Sequence, residues 1–456
     1  MTVVPRPSAR TAERRAAWPI AGAVAGAVVV SLVLYLVTMP PTITWWFGGS
    51  DSGELISAAE AFGIAHPTGY PLFVLLGFLA TRIPAGDIAE RVNAMNAVIG
   101  ALGAGGIVLT VVTLTDGRDA RLVFRLAVAV AAALAVATSG LYWSQAIIGE
   151  VYILQAALSA LVLLVWARPR VHPLLRGAAH GLALTNHLTA IIFLAAALAT
   201  VARPWRPLRR TAALWFAAGV LAPLGLYLVL PIRAAQDPVA AWSDLGSVGE
   251  FLSHVTGQQY QGNFNPFDLP RALADLASII RLMIEDLPPW MLPAAGIGLY
   301  QLFQGRRPFA WFTSLAAAGT LLFAAMYRIV DRAPYLLPAY VVIGVWTGIG
   351  LHAALRWAIA WAGAGRRRWA VVAGASAAVL LLAVWSVRAF DRVDLSGDDS
   401  ALVFARTILE ALPPDATYYS ARDDVTFALW YAQRTLGLRR DVQVIDVRNP
   451  ELRGLR

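Results

Sequence analysis

Asp51 and Glu54 stand three residues apart in the string Ser50-Asp51-Ser52-Gly53-Glu54-Leu55, and His66 follows in His66-Pro67-Thr68-Gly69-Tyr70-Pro71. Residues three apart share a helical face, and on a turn they can still converge on one point. A carboxylate within hydrogen-bond reach of a hydroxyl becomes a general base when partial burial or a like charge raises its pKa. The same pair can hold a divalent cation through oxygen ligands, although no further acidic cluster lies nearby. The plain alternative is a helix cap, with Asp51 capping a helix that begins at Ser52 and Glu54 at the third helical position. Gly48, Gly49 and Gly53 let backbone approach a ligand closely. Pro67, Gly69 and Pro71 make a rigid turn that would fix His66 and start a helix at Pro71. A hydrogen-bonded structural role is the competing reading for His66. Tyr70, in the same turn, is a candidate binding residue.

Further candidates are scattered along the chain. Arg91, Asn93 and Asn96 form one group, and Arg91 has the fork that suits a phosphate. The asparagines also suit bonds to neighbouring helices. Glu150 and Tyr152 follow Trp143-Ser144-Gln145; a carboxylate near membrane depth needs a partner. Asn186-His187 forms a polar break in an apolar run. Arg233 follows Leu230-Pro231-Ile232, with Gln258, Gln259 and Tyr260 further on, and Asp331-Arg332 forms a last polar pair.

What positions these residues is a membrane scaffold. The chain has 456 residues, 58% hydrophobic and 14% charged, with mean hydropathy +0.61. Soluble domains run nearer 45–50% apolar and about 25% charged. Apolar segments of roughly 20 residues recur, the length that crosses a hydrocarbon core of about 30 Å. The 16 Trp and 13 Tyr suit interfacial belts. The net charge of +9 does not indicate nucleic-acid binding, because the basic residues fall in short clusters between apolar segments. No cysteine is present, which removes disulfides and thiolate metal sites.

Taking the basic clusters as cytoplasmic gives an order of crossings. The clusters are the N-terminus, Arg118 to Arg125, Arg168 to Arg176, Arg203 to Arg210, Arg306-Arg307 and Arg366-Arg367-Arg368. Residues 1–17 are then a cytoplasmic tail, and the first segment, 18–39, a retained helix. Later crossings fall at 91–114, 121–139, 148–167, 211–230, 290–304, 309–326, 336–359 and 368–388. Residues 174–201 make two short helices that meet outside at the Asn186-His187 break. The sum is roughly eleven transmembrane helices in residues 18–389, with the N-terminus cytoplasmic and the C-terminus external in a multi-pass plasma-membrane protein. External loops occupy 40–90 and 231–286, and residues 71–81 within the first are too short to cross. Residues 390–456 read as a small external α/β segment, with helices at 400–411 and 424–436 and strands near 416–419 and 442–445. This topology brings Asp51, Glu54, His66, Glu150, His187, Arg233 and Arg332 to one face.

Crowding of polar groups on one face favours a transferase acting there on a lipid-carried substrate. A secondary transporter or flippase, the alternative, predicts ionisable groups at mid-membrane and broken helices in matching halves. The strings at 48–56, 63–72, 91–96, 143–152, 181–189 and 230–234 resemble, in order, a large membrane family formerly described only as a domain of unknown function. Its eukaryotic members are tied to protein O-mannosyl transfer. The resemblance covers about residues 20 to 265; Thr68 departs from it, where the family often has a second proline. It implies an all-α polytopic membrane protein, a GT-C-like helical bundle, working as an inverting glycosyltransferase. The donor would be a polyprenyl-phosphate sugar, with mannose a candidate, and the acceptor a protein, lipid or glycan hydroxyl. Asp51 would deprotonate the acceptor, with Glu54 as assistant or alternative. His66, Tyr70, Arg91, Asn93, Glu150, Tyr152, Asn186, His187, Arg233 and Arg332 would bind substrate. No cofactor is established by the sequence; a divalent cation is a candidate.

Overall fold

A computed structural model describes residues 9–115, 122–201 and 210–448. The basic stretches within 1–8, 116–121 and 202–209 lie outside the described residues. The first helix, α1 (Ala9–Thr38), leads into the first loop, which carries a 3-10 turn (Trp46–Asp51) and the short helices α2 (Ser52–Glu60) and α3 (Pro71–Thr81). Then come α4 (Ile88–Leu114), α5 (Leu122–Ala137), α6 (Gly140–Ala146), α7 (Tyr152–Ala167), α8 (Pro173–Asn186) and α9 (Ile191–Val201). They are followed by α10 (Arg210–Leu224), α11 (Val229–Ala234), α12 (Val248–Val255), α13 (Leu269–Asp286), α14 (Met291–Gly305) and α15 (Arg307–Met326). Helical backbone α16 covers Leu337–Val393. The chain ends in α17 (Ser400–Ala411), β1 (Thr417–Ser420), α18 (Asp423–Arg434) and β2 (Gln443–Asp446), and the two strands pair in parallel with Thr417 opposite Gln443.

Among the described residues, five helices are long and apolar enough to cross a membrane, or six if α5 and α6, bent by 72°, form one span. The other crossings read from the sequence fall on shorter helices or within α16. With 14 and 16 residues, α8 and α7 reach only about 21 and 24 Å. Ends short of the interface are tolerated where protein covers them. Burial orders the bundle: the span Ala333–Trp361 is 89% buried and α4 61%, whereas Ala17–Thr38 and Arg210–Ala234 are 17% buried and present apolar side chains outward, as lipid-facing helices do.

The sequence separates 336–359 from 368–388, whereas backbone helix continues through both in α16. A straight helix would hold Tyr340 and Trp385 about 68 Å apart. Yet both lie at Asp286: Tyr340 is close enough to interact with its carboxyl, and Trp385 Nε1 donates to its carbonyl at 3.2 Å. The chain therefore reverses within α16, and both ends return to the same end of the bundle.

That end is tied together by buried polar anchors. Trp143 of α6 is fully buried and donates Nε1–H to Thr38 Oγ1 at 2.8 Å, while its ring meets Tyr35 and Phe390. Deleting such a side chain costs about 3–5 kcal/mol. The break between α8 and η-turn residue Leu188 falls at His187, as the polar pair implies. Helix α4 starts with a capping box: Asp87 accepts from Ala89 N at 2.8 Å, and Glu90 accepts from Asp87 N. Tyr431 of α18 donates to the same Asp87, so the C-terminal segment docks on the entry to α4.

Candidate active site

The first loop builds the floor of the site. Helix α2 begins at Ser52, as the capping reading expects, but Asp51 makes no side-chain cap bond. Its carboxylate is left to face a cavity. Glu54 is likewise not spent on a cap: buried in α2, it accepts from His66 N at 3.0 Å and from His66 Nδ1 at 2.8 Å. The His66–Pro71 turn needs Gly69, whose φ is +87° and whose absent Cβ would lie 2.8 Å from Leu230 Cδ1.

His66 Nε2 lies 3.2 Å from Tyr70 Oη and 4.0 Å from Asp51 Oδ2. The Tyr70 hydroxyl is also 3.2 Å from Pro67 O. Burial alone would lower the His66 pKa, but the charge and hydrogen bond of Glu54, with Asp51 and Asp423 behind them, leave it raised, so the site favours the protonated ring. Asp51 is pushed from 3.8 to about 6, first by burial and then by Glu54, Asp423 and Asp331, against the lowering pull of His66. Its side chain keeps 38% exposure, which opens to the cavity. A carboxyl of this kind takes a proton from a hydroxyl near neutral pH.

The cavity holds about 910 Å³. Asp51, His66 and Tyr70 line it on the loop side, and Tyr152 and His187 beneath them. His187 accepts from Thr189 N through Nδ1 at 3.2 Å; its ring stacks on Tyr70 at 5.8 Å and packs against Tyr335 at 5.4 Å. Trp242, Tyr260, Tyr327 and Tyr335 supply further ring faces. Ile191, Phe264 and Val330 line the cavity and are exposed, so part of its wall is apolar and accessible.

Several sequence-based candidates stand elsewhere. Arg91 spends its guanidinium on the carbonyls of Thr81, Ala85 and Gly86, closing the turn before α4. Asn93 donates to Pro40 O and Thr42 O, and Asn186 to Val151 O and Gln155 Oε1, so both pin backbone or neighbouring helices. Arg233 donates to Phe62 O at 2.6 Å and Ala61 O at 3.1 Å, satisfying carbonyls freed at the end of α2. Arg332 pairs with Asp275 of α13 at 2.7 Å; its neighbour Asp331 lines the cavity instead. Glu150 is buried behind the floor, with Ser52 Oγ 3.5 Å from its carboxylate. The Glu54 carboxylate is engaged by His66. No group of three or more His, Cys, Asp or Glu is arranged to hold a metal among the described residues.

The sequence reading did not reach the roof of the cavity. Asp423, Phe427 and Arg448 line it, all from the C-terminal segment. Helix α18 lies directly on α2: a Cβ on Gly53 would fall 2.4 Å from Phe427 O, so only glycine permits the approach. Trp45 Nε1 donates to Asp424 O at 3.0 Å, and Ser57 Oγ meets Thr435 Oγ1 at 3.3 Å.

The chain is a helical bundle with two short first-loop helices and a cavity under a small α/β roof, and solved structures share this fold. The chain superposes on ArnT from Cupriavidus metallidurans bound to undecaprenyl phosphate with TM-score 0.59, 15% identity, and coverage of 93% of this chain and 86% of that one. The oligosaccharyltransferase of Archaeoglobus fulgidus tethered with an acceptor peptide gives TM-score 0.56 at 14% identity, covering 92% and 63%. In sequence, residues 51–206 match the family described as Protein O-mannosyl-transferase TMEM260 N-terminal domain. The mouse Protein O-mannosyl-transferase TMEM260 is 26% identical over 462 residues, 91% of this chain and 61% of the relative. The Dictyostelium discoideum counterpart is 38% identical over 81 residues, 17% of this chain and 9% of the relative. The chain is thus an integral membrane protein of the GT-C fold, related to the TMEM260 proteins as its motifs imply, and it spans about three fifths of the mouse relative's length.

Proposed function

We propose that this chain is a membrane glycosyltransferase that moves a sugar, mannose being the first candidate, from a polyprenyl-phosphate donor to an acceptor hydroxyl. The observation that carries the reading is Asp51: a carboxylate without a cap bond, held at about 6, facing a large cavity with an accessible apolar wall. The name of the mouse relative and the undecaprenyl phosphate bound by ArnT support the sugar and the donor class.

In this reading the acceptor O–H gives its proton to Asp51 while its oxygen bonds to the anomeric carbon. The bond from that carbon to the phosphate oxygen breaks, and the electron pair leaves with the polyprenyl phosphate. Attack from the opposite side inverts the anomeric centre. His66, oriented by Glu54 and Tyr70 and with its pKa raised by Glu54, offers positive charge to the phosphate when protonated. Glu54 thus acts through His66 rather than as the base. The tyrosine and tryptophan faces suit a sugar ring. The site faces the external side, with the N-terminus cytoplasmic and the C-terminus external. The transporter or flippase alternative finds less support, because the cavity and its titratable groups gather at one end of the bundle.

The test is transfer of radiolabelled mannose from polyprenyl-phosphate mannose to serine- and threonine-containing peptides by the protein in proteoliposomes. Transfer that appears with wild type and vanishes with Asp51→Asn supports the reading. Transfer unchanged in that variant removes Asp51 as base, and uptake of label into the lumen without transfer would favour transport.

A further inference from the structure

The cavity is short of fixed positive charge. Asp51, Asp331 and Asp423 face it, and among its described lining residues Arg448 is the single arginine or lysine. A phosphate brought into that space meets three carboxylates. Coulomb repulsion at a few ångströms under partial burial opposes its entry unless a cation offsets it. His66 stands at the floor among these acids, and Arg448 is the cation the roof offers.

Arg448 is built for that role. Its backbone N–H donates to Asp446 Oδ1 at 2.9 Å at the end of β2, which fixes where the side chain leaves the segment. Asp446 is fully buried and lies 3.6 Å from the guanidinium, a standing partner on the protein side. On the cavity side the guanidinium pairs with Asp423, the first residue of α18, and both groups remain about half exposed. An exposed pair of this kind contributes little to stability, so its partner is exchangeable. A phosphate monoester or diester presents two oxygens to the same planar fork and forms stronger charge-assisted bonds.

We propose that Arg448 is the roof-side phosphate ligand of the lipid-linked donor, held in waiting by Asp423 and handed over when the phosphate enters. The C-terminal α/β segment is then part of the donor site rather than a cover. Asp423 acts as a competitor that keeps the guanidinium oriented and discourages unspecific anions. This assignment rests on the donor class proposed above.

The test measures binding of a polyprenyl monophosphate to the full chain in nanodiscs, followed by Trp fluorescence, with the matching polyprenol and inorganic phosphate as controls. Arg448→Ala should weaken polyprenyl-phosphate binding roughly ten- to hundredfold, the worth of hydrogen bonds to a charged group. Arg448→Lys should recover part of that loss, and Asp423→Asn should tighten binding by removing the competitor. Polyprenol should bind equally to all four proteins, and inorganic phosphate should bind wild type only weakly. The assignment is overturned if Arg448→Ala binds polyprenyl phosphate like wild type, or if it loses polyprenol binding in parallel, since that marks a distorted cavity. If wild type itself prefers polyprenol to its phosphate, the donor class fails and this assignment with it. A wild type that prefers the phosphate beside an indifferent Arg448→Ala sinks only the role of Arg448.

Discussion

Asp51→Asn should remove activity and stabilise the protein at once. A carboxyl held at about 6 instead of 3.8 is ionised at pH 7.5 at a cost of about 3 kcal/mol. The side chain is 38% exposed to the cavity, so water screens much of that cost and about 1 kcal/mol remains. Because the folded-state pKa is the higher one, the penalty is absent below pH 3.8 and complete above about pH 6. Asparagine fills the same volume without the charge. The variant should therefore melt roughly 1–2 °C above wild type at pH 7.5, with the gain gone at pH 4. Sugar transfer should fall by roughly 10²- to 10⁴-fold, the usual weight of a general base. Apparent melting of the protein in nanodiscs at both pH values, beside the transfer assay, checks both arms. A variant less stable than wild type at pH 7.5, or a gain equal at both pH values, would refute the idea of a strained base.

Other expectations follow from the same contacts. Wild-type transfer should fall as pH drops through about 6, where Asp51 takes up its proton. Glu54→Gln should move the alkaline limb of the pH–rate profile downward, because Glu54 is the main group that raises His66; an unmoved limb would detach His66 from the reaction. Arg233→Ala leaves the carbonyls of Ala61 and Phe62 without their donor, so it should cost about 1–3 kcal/mol in stability while donor KM stays unchanged in steady-state kinetics. Gly53→Ala places a Cβ against Phe427 O and should lift α18 from α2, seen as faster proteolysis of residues 400–448 and weaker transfer.

The local features were legible in the sequence because they are local. The His66–Pro71 turn, the start of α2 at Ser52 and the break at Asn186-His187 are each written in adjacent residues. The elements of the C-terminal segment also fall near their expected positions, since alternation and helical period act over a few residues. The arginines were another matter. Topology assigns a residue to a membrane face but not its side chain to a partner. Arg91 and Arg233 are claimed by backbone carbonyls freed at nearby helix ends and turns, a need the chain acquires only on folding. Arg332 and Asp331 are neighbours, yet only the acid faces the cavity. Asp423 and Arg448 went unread because their approach to Asp51 depends on Gly53 admitting α18, a contact across more than 370 residues. The reversal inside α16 shows in long-range contacts, Tyr340 and Trp385 both lying at Asp286 and Phe390 packing on Trp143.

The account stands on a donor sugar reaching Asp51 beneath the C-terminal roof. The most direct measurement is an electron cryomicroscopy structure in nanodiscs with a non-transferable polyprenyl-phosphonate mannose. The sugar should lie within hydrogen-bond distance of Asp51, the phosphonate between His66 and Arg448, and the isoprenoid should leave past Ile191 and Val330. A headgroup seated at the opposite end of the bundle, or on the outer surface away from Asp51, would contradict it.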